Sequence, residues 1–326
     1  MNFLLKVTLA LLFSLAGSAW AQLTPEQQAA KEKGLTLYQQ SDWYDSQPLL
    51  RIAAEAGDGE AQYFLAETLR LSNRYITEEA QKWYEAAAEQ GEVYAMLRLS
   101  SKDDDLCVAM GNCPSDRKEP YDWLMLARET ASARAAQGDA EAMKQMNNAT
   151  ADLKWLEKAA EAGHGEAQWL LANRYKEGRG TFWLPGSRED AVEKWFKASA
   201  ESGYPPGMMT YAEILYKRND LETVRYWIKK AAEQGHLEAA YSYGAYMAHY
   251  PDDKVGYPLD LVKGYALVSL VAELDGGGAS PEYARDDLVG IAKRMSTAQI
   301  EQAKAFADEW QRTHPPLSYF VNKYGF

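Results

Sequence analysis

The stretch WLEKAAEAGHGEAQWLLANRYKEGRG, residues 155–180, decides the fold. Ala160 stands three residues before Gly163 and Ala167 four residues after it, between two segments of helical composition. The glycine suits a left-handed cap that ends the first helix without a Cβ penalty. The second helix begins within about three residues, which forces an antiparallel hairpin. Small residues on both sides of the turn let the two backbones approach closely where the helices cross.

The same signature recurs outward in both directions. It reads Ala54/Gly57/Ala61, Ala88/Gly91/Ala95, Ala135/Gly138/Ala142, Ala200/Gly203/Gly207 and Ala232/Gly235/Ala239, with a degenerate seventh at Ala272/Asp275/Ala279. The glycines are 34, 47, 25, 40 and 32 residues apart. Periods in that range predict stacked supersecondary units, and such arrays present a long surface to a partner. An aromatic eight residues before the glycine, at Trp83, Trp155, Trp195 and Trp227, is expected on the core face, with Leu49 and Leu267 at the equivalent places. Leu65, Leu99, Met146, Leu171, Tyr211 and Tyr243, eight residues after it, are expected to continue the apolar stripe of the second helix. The expected fold class is therefore all-α, an α-solenoid of six to seven stacked antiparallel helix pairs.

Residues 155–180, together with YWIKKAAEQGH at 226–236 and WYEAAAEQGE at 83–92, resemble the Sel1-like repeat (SLR), a relative of the tetratricopeptide repeat. The resemblance covers about residues 46–290. On this reading residues 22–45 form an N-terminal capping helix, 46–290 the solenoid with an insert at about 101–120, and 291–326 a C-terminal capping helix and tail. Thr24-Pro25-Glu26-Gln27 and Ser296 with Gln299 both have the pattern of a capping box. The short 25-residue interval is expected to be either a compressed helix pair or one bent helix over Ala140–Ala162.

Residues 1–21 have a basic residue, Lys6, an apolar stretch from Val7 to Leu15 and an Ala19-Trp20-Ala21 cleavage pattern, which predicts a cleaved secretory signal and a periplasmic address, with secretion as the fallback. No later segment is apolar over ~18 residues, so no membrane insertion is expected. The whole chain has a net charge of −12, and loss of Lys6 makes it −13. That balance excludes a nucleic-acid partner, which needs a basic footprint, and favours a basic or mixed-charge protein. Cys107 and Cys113 are the only cysteines, and in an oxidising compartment their spacing predicts a local disulfide contributing about 2 kcal/mol.

No catalytic motif and no cofactor or metal motif is present, so a non-enzyme is expected. His164 and His236 directly follow repeat glycines and are expected to serve the turns. Asp103, Asp104 and Asp105 lack the alternating order of a calcium loop; a solvated acidic loop is expected, which could dock a basic partner. Phe182, Trp183 and Leu184 place three large apolar residues in an inter-repeat loop, either as binding anchors or tucked over the adjacent groove. The same pair of readings applies to Tyr319, Phe320, Tyr324 and Phe326 in the tail.

The SLR resemblance implies protein binding. Chains with a signal sequence, one SLR array and little else include periplasmic immunity proteins that neutralise type VI secretion effectors, with phospholipase D-like enzymes as targets. An antibacterial phospholipase effector is accordingly the expected partner. The resemblance also admits a periplasmic scaffold or adaptor in envelope assembly or polysaccharide export. A weak hydrolase or penicillin-binding activity stands third, because the relatives implied there carry a cysteine pair in most repeats and this chain has one pair.

Overall fold

The computed structural model describes residues 23–101, 111, 113 and 119–324. Among the described residues it contains sixteen α-helices: α1 (Pro25–Gln39), α2 (Trp43–Glu55), α3 (Gly59–Asn73), α4 (Glu78–Glu89), α5 (Val93–Ser100), α6 (Pro120–Ala135), α7 (Ala140–Thr150), α8 (Leu153–Glu161), α9 (Gly165–Lys176), α10 (Ser187–Glu201), α11 (Pro205–Lys217), α12 (Leu221–Glu233), α13 (Leu237–Met247), α14 (Leu261–Ala272), α15 (Ser280–Ala292) and α16 (Thr297–Thr313). Each helix from α1 to α14 packs on the next, and α16 folds back onto α14. The all-α solenoid of paired helices is thus the observed architecture.

The repeat glycines do what their spacing predicts. Gly57, Gly91, Gly138, Gly163, Gly203 and Gly235 all have φ between +81° and +93°. At the first turn Gly57 N–H donates to Ala54 O at 3.0 Å and Asp58 N–H to Ala53 O at 3.1 Å. The other five turns repeat this doubled bond, which satisfies carbonyls the helix end leaves open. The residue after the glycine then caps the next helix: Asp58 and Asp139 accept from the N–H three residues on, and so do His164 and His236 through Nδ1. Both histidines are therefore turn residues.

Of the residues expected on the core face eight before the glycine, Trp227 and Leu267 are buried, whereas at Leu49, Trp83, Trp155 and Trp195 the core position is displaced by one residue. Trp83, Trp155 and Trp195 are only half-buried. The fully packed position lies seven residues before the glycine, at Leu50, Tyr84, Leu156, Phe196 and Ile228. The reason is helical geometry: a residue at that place shares a face with the small residues three and four further on, such as Ala87 and Ala88 for Tyr84. The tryptophans lie at the edge of this stripe, with Lys82, Lys158 and Lys194 ammonium groups 5.5, 4.3 and 4.8 Å from the ring centres of Trp83, Trp155 and Trp195. Leu65, Leu99, Met146, Leu171, Tyr211 and Tyr243 are all buried as expected.

The irregular units have local causes. In the short interval α7 and α8 are two separate helices joined through Ala151 at φ +56°, with no loop between them. Gly207 replaces the usual alanine because Ser199 occupies its space. A Cβ on Gly207 would lie 2.2 Å from Ser199 Oγ, and that hydroxyl is committed to Gly165 O at 2.7 Å.

Both capping boxes form, at Thr24 and at Ser296. The two ends of the array also meet. Gly277 N–H, in the turn before α15, donates to Ser41 O after α1 at 3.3 Å. The tail then runs through the interior of this ring: Leu237 N–H donates to Ser318 O at 2.9 Å, Ser318 N–H to Gly235 O at 2.8 Å and Tyr319 N–H to Gln39 O at 3.0 Å. The chain end thereby ties the N-terminal helix α1 to the sixth repeat.

Candidate functional site

Two surfaces bring together aromatic and charged side chains outside the repeat stripe. The first is the loop between α9 and α10. Gly178, Gly180 and Gly186 take positive φ and fold it into a compact course. Arg188 holds it from inside, donating to Tyr175 O at 2.9 Å, Arg179 O at 2.6 Å and Gly180 O at 3.3 Å. Phe182 tucks edge-on against Tyr175 with ring centres 4.9 Å apart, and the Arg188 guanidinium covers it at 4.7 Å. Trp183 and Leu184 instead point outward at 89% and 74% exposure. The structure therefore separates the three: Phe182 fixes the loop, and the other two form an apolar pair with nothing covering it. Ser187 closes the turn, its Oγ donating to Leu184 O at 2.7 Å.

The second surface is the inner wall of the ring. Lys323 of the tail places Nζ 5.4, 5.7 and 5.6 Å from the ring centres of Tyr63, Phe64 and Tyr94, and 2.8 Å from Glu92 Oε2. Tyr63 and Phe64 come from α3, Tyr94 from α5, and Glu92 caps α5. Three ring faces and one carboxylate around an ammonium make an aromatic cage. Tyr63 also donates its hydroxyl to Lys323 O. Tyr324 stacks on Tyr94 at 6.0 Å and lies under the Arg98 guanidinium at 4.6 Å. Burial, and then the nearby Glu67 and Glu141 charges respectively, raise the phenol pKa values of Tyr63 and Tyr94, so both stay protonated donors.

Behind the cage lies a buried charge network. Glu67 is fully enclosed and accepts from Arg98 at 2.7 and 3.2 Å, from Arg70 at 2.9 Å and from the Tyr84 hydroxyl. Burial pushes the Glu67 carboxyl up, but the two guanidiniums outweigh it and the net shift is downward. Arg98 is thereby fixed in the orientation that covers Tyr324. A second network joins Glu141 to Lys144, His164 and Tyr94, with Lys144 Nζ also 2.6 Å from Glu166. Burial raises the Glu141 pKa, yet hydrogen bonds from His164, Tyr94 and Lys144 bring it down to about 2.

Asp103, Asp104, Asp105 and Cys107 lie outside the described residues, so the acidic loop and the expected bond from Cys107 to Cys113 are not located. Among the described residues no group of three His, Cys, Asp or Glu side chains is placed to hold a metal, and no helix is long and apolar enough to cross a membrane. Sequence reasoning missed the cage, although one signal was present. The third residue after the repeat glycine is Glu60, Glu141, Glu166 and Glu238 in four units, and Tyr94 and Pro206 break that pattern. It also missed the outer face of α6, which exposes Tyr121, Met125 and Leu126 directly after the insert.

No family model matches the chain, and no curated protein matches it. Among solved structures it is similar to a protective antigen of uropathogenic Escherichia coli strains displaying an SLR fold, at 20% identity and TM-score 0.46, over 89% of this chain and 62% of that one. It is also similar to a Sel1 repeat protein from Oxalobacter formigenes, at 22% identity and TM-score 0.44, over 88% of this chain and 87% of that one. The chain thus spans about three-fifths of the length of the first of these two proteins.

Proposed function

We propose that this chain is a non-catalytic, periplasmic protein-binding solenoid, and specifically an immunity protein that binds and occludes an antibacterial phospholipase effector of type VI secretion. The observation that carries the binding reading is the pair Trp183 and Leu184, presented outward on a loop held by Arg188. A tryptophan exposed at 89% on an organised loop is suited to fill a pocket in a partner, because little conformational entropy remains to be lost on docking. The surplus of acidic residues, 47 against 35 basic, favours a partner with a basic docking face. Occlusion of an enzyme requires shape and affinity only, which accords with the lack of a catalytic motif in the sequence.

The experiment is a pull-down of the purified chain with an antibacterial phospholipase effector of type VI secretion, followed by a protection assay in cells that receive the toxin. The immunity reading predicts a stable complex and survival. A complex without protection would retain the binding solenoid and remove the immunity role, and neither complex nor protection would remove both.

A further inference from the structure

The tail supplies a ligand chemistry that the ring recognises. Lys323 sits in the cage of Tyr63, Phe64, Tyr94 and Glu92, and Tyr324 follows it into the slot between Tyr94 and Arg98. Upstream, Phe320 stacks on His236 at 5.8 Å and meets Tyr204 edge-on at 6.3 Å, while the backbone at Ser318 and Tyr319 is held as an extended strand would be. Beyond this point the tail turns, with Phe320 at φ +53° and a turn at Lys323 and Tyr324. Side-chain pockets combined with main-chain hydrogen bonds are the means by which proteins bind peptide segments.

The groove is also larger than the tail that occupies it. A cavity of about 430 Å³ flanks Asn322 and Tyr324 on the side of Lys144 and Leu156, and one of about 650 Å³ flanks Tyr319, Phe320 and Val321 on the side of Trp43 and Trp169. A strand that served only to tie the ring would be expected to pack densely along its length. The tyrosine that forms the cage wall, Tyr94, stands where four other units carry glutamate, so this unit departs from the repeat where Lys323 enters.

We propose that the cage of Tyr63, Phe64, Tyr94 and Glu92 is a recognition site for a segment of a partner protein bearing lysine followed by an aromatic residue, and that the chain's own Lys323-Tyr324 occupies it until that segment displaces it. The proposal rests on the protein-binding reading but concerns a surface separate from the Trp183 loop. The tail acts as an internal competitor, scaling the apparent affinity by the fraction of time the groove is empty.

The test keeps the folded chain. A protease site inserted between His314 and Pro315 is cut after folding, and a labelled peptide of residues 315–326 is added to cut and uncut protein. The cut protein is expected to bind the peptide at least about tenfold more tightly than the uncut protein. The Lys323→Ala peptide is expected to bind at least about tenfold more weakly than the parent, and the Lys323→Arg peptide to fall between them. Selection from random peptides on the cut, tail-stripped protein is expected to return lysine followed by an aromatic. Loss of helical signal on cutting, no entry of the peptide, equal binding of the Lys323→Ala peptide, selection without lysine, or exchange of tails between copies to give a dimer would each overturn the proposal. Because no partner is present in these measurements, their failure leaves the Trp183 experiment unaffected.

Discussion

Gly276 rests against Gln40 so closely that a Cβ on the glycine would lie 1.9 Å from the Gln40 carbonyl oxygen. This contact joins the turn after α1 to the turn before α15, and it closes the array into a ring. Uncapped solenoids leave their end faces open; here the ends cover each other. Gly276→Ala is predicted to lower stability by about 1–3 kcal/mol, since a backbone atom cannot yield as a side chain would. Chemical denaturation checks this, and loss of protection at α1 and α15 in hydrogen exchange should accompany it.

Gly163 isolates the conformational part of the repeat signature. Its φ is +87° and a Cβ there would meet nothing within 4 Å, so Gly163→Ala changes only backbone strain. A destabilisation of roughly 1 kcal/mol is expected in urea unfolding, with no change in partner binding. A neutral result would show that the left-handed cap does not matter at this turn.

The Glu67 network predicts a larger effect. Glu67→Gln removes the charge that pairs with Arg70 and Arg98 while nearly preserving the shape, leaving the buried Arg98 guanidinium without its carboxylate. A loss of about 3 kcal/mol or more is expected. Tyr324 should also lose its fixed stacking on Tyr94, readable as faster proteolysis of the tail.

Acid should loosen the tail through His236. Burial lowers its pKa from 6.5 to about 4, and Phe320 stacks on the ring. The folded chain therefore binds fewer protons at this site than the unfolded chain between those two values. Its stabilising contribution is fully present above pH 6.5 and is lost as the pH falls toward about 4, the loss totalling on the order of 3 kcal/mol. Replacement by Asn retains a helix-capping acceptor at that position. His236→Asn should remove this part of the acid sensitivity; unchanged acid unfolding of the variant would assign the sensitivity elsewhere.

Much of the fold was legible because local rules set it. The glycine φ values, the capping residues and the buried positions eight residues after each glycine all follow from the spacing of small and apolar residues within single helix pairs. The one-residue displacement at Trp83, Trp155 and Trp195 arose because a wide indole can lie at the edge of a stripe, where spacing alone does not separate centre from edge. Ring closure and the course of the tail were not legible. Contacts such as Gln39 with Val321 or Tyr63 with Lys323 join residues 282 and 260 positions apart, and no periodicity encodes them. Of the loop residues, Phe182 turned inward and Trp183 outward, a choice made by Tyr175 and Arg188 on flanking helices.

The central claim is that this solenoid works by docking a protein partner through Trp183 and Leu184. Titration calorimetry of the wild-type chain and Trp183→Ala against the phospholipase effector that the chain retains in the pull-down, with thermal unfolding of both chains in parallel, tests it most directly. The account predicts a loss of about 2 kcal/mol or more in binding and a stability change within about 0.5 kcal/mol. Unchanged affinity together with a marked loss of stability would contradict it and return Trp183 to the scaffold.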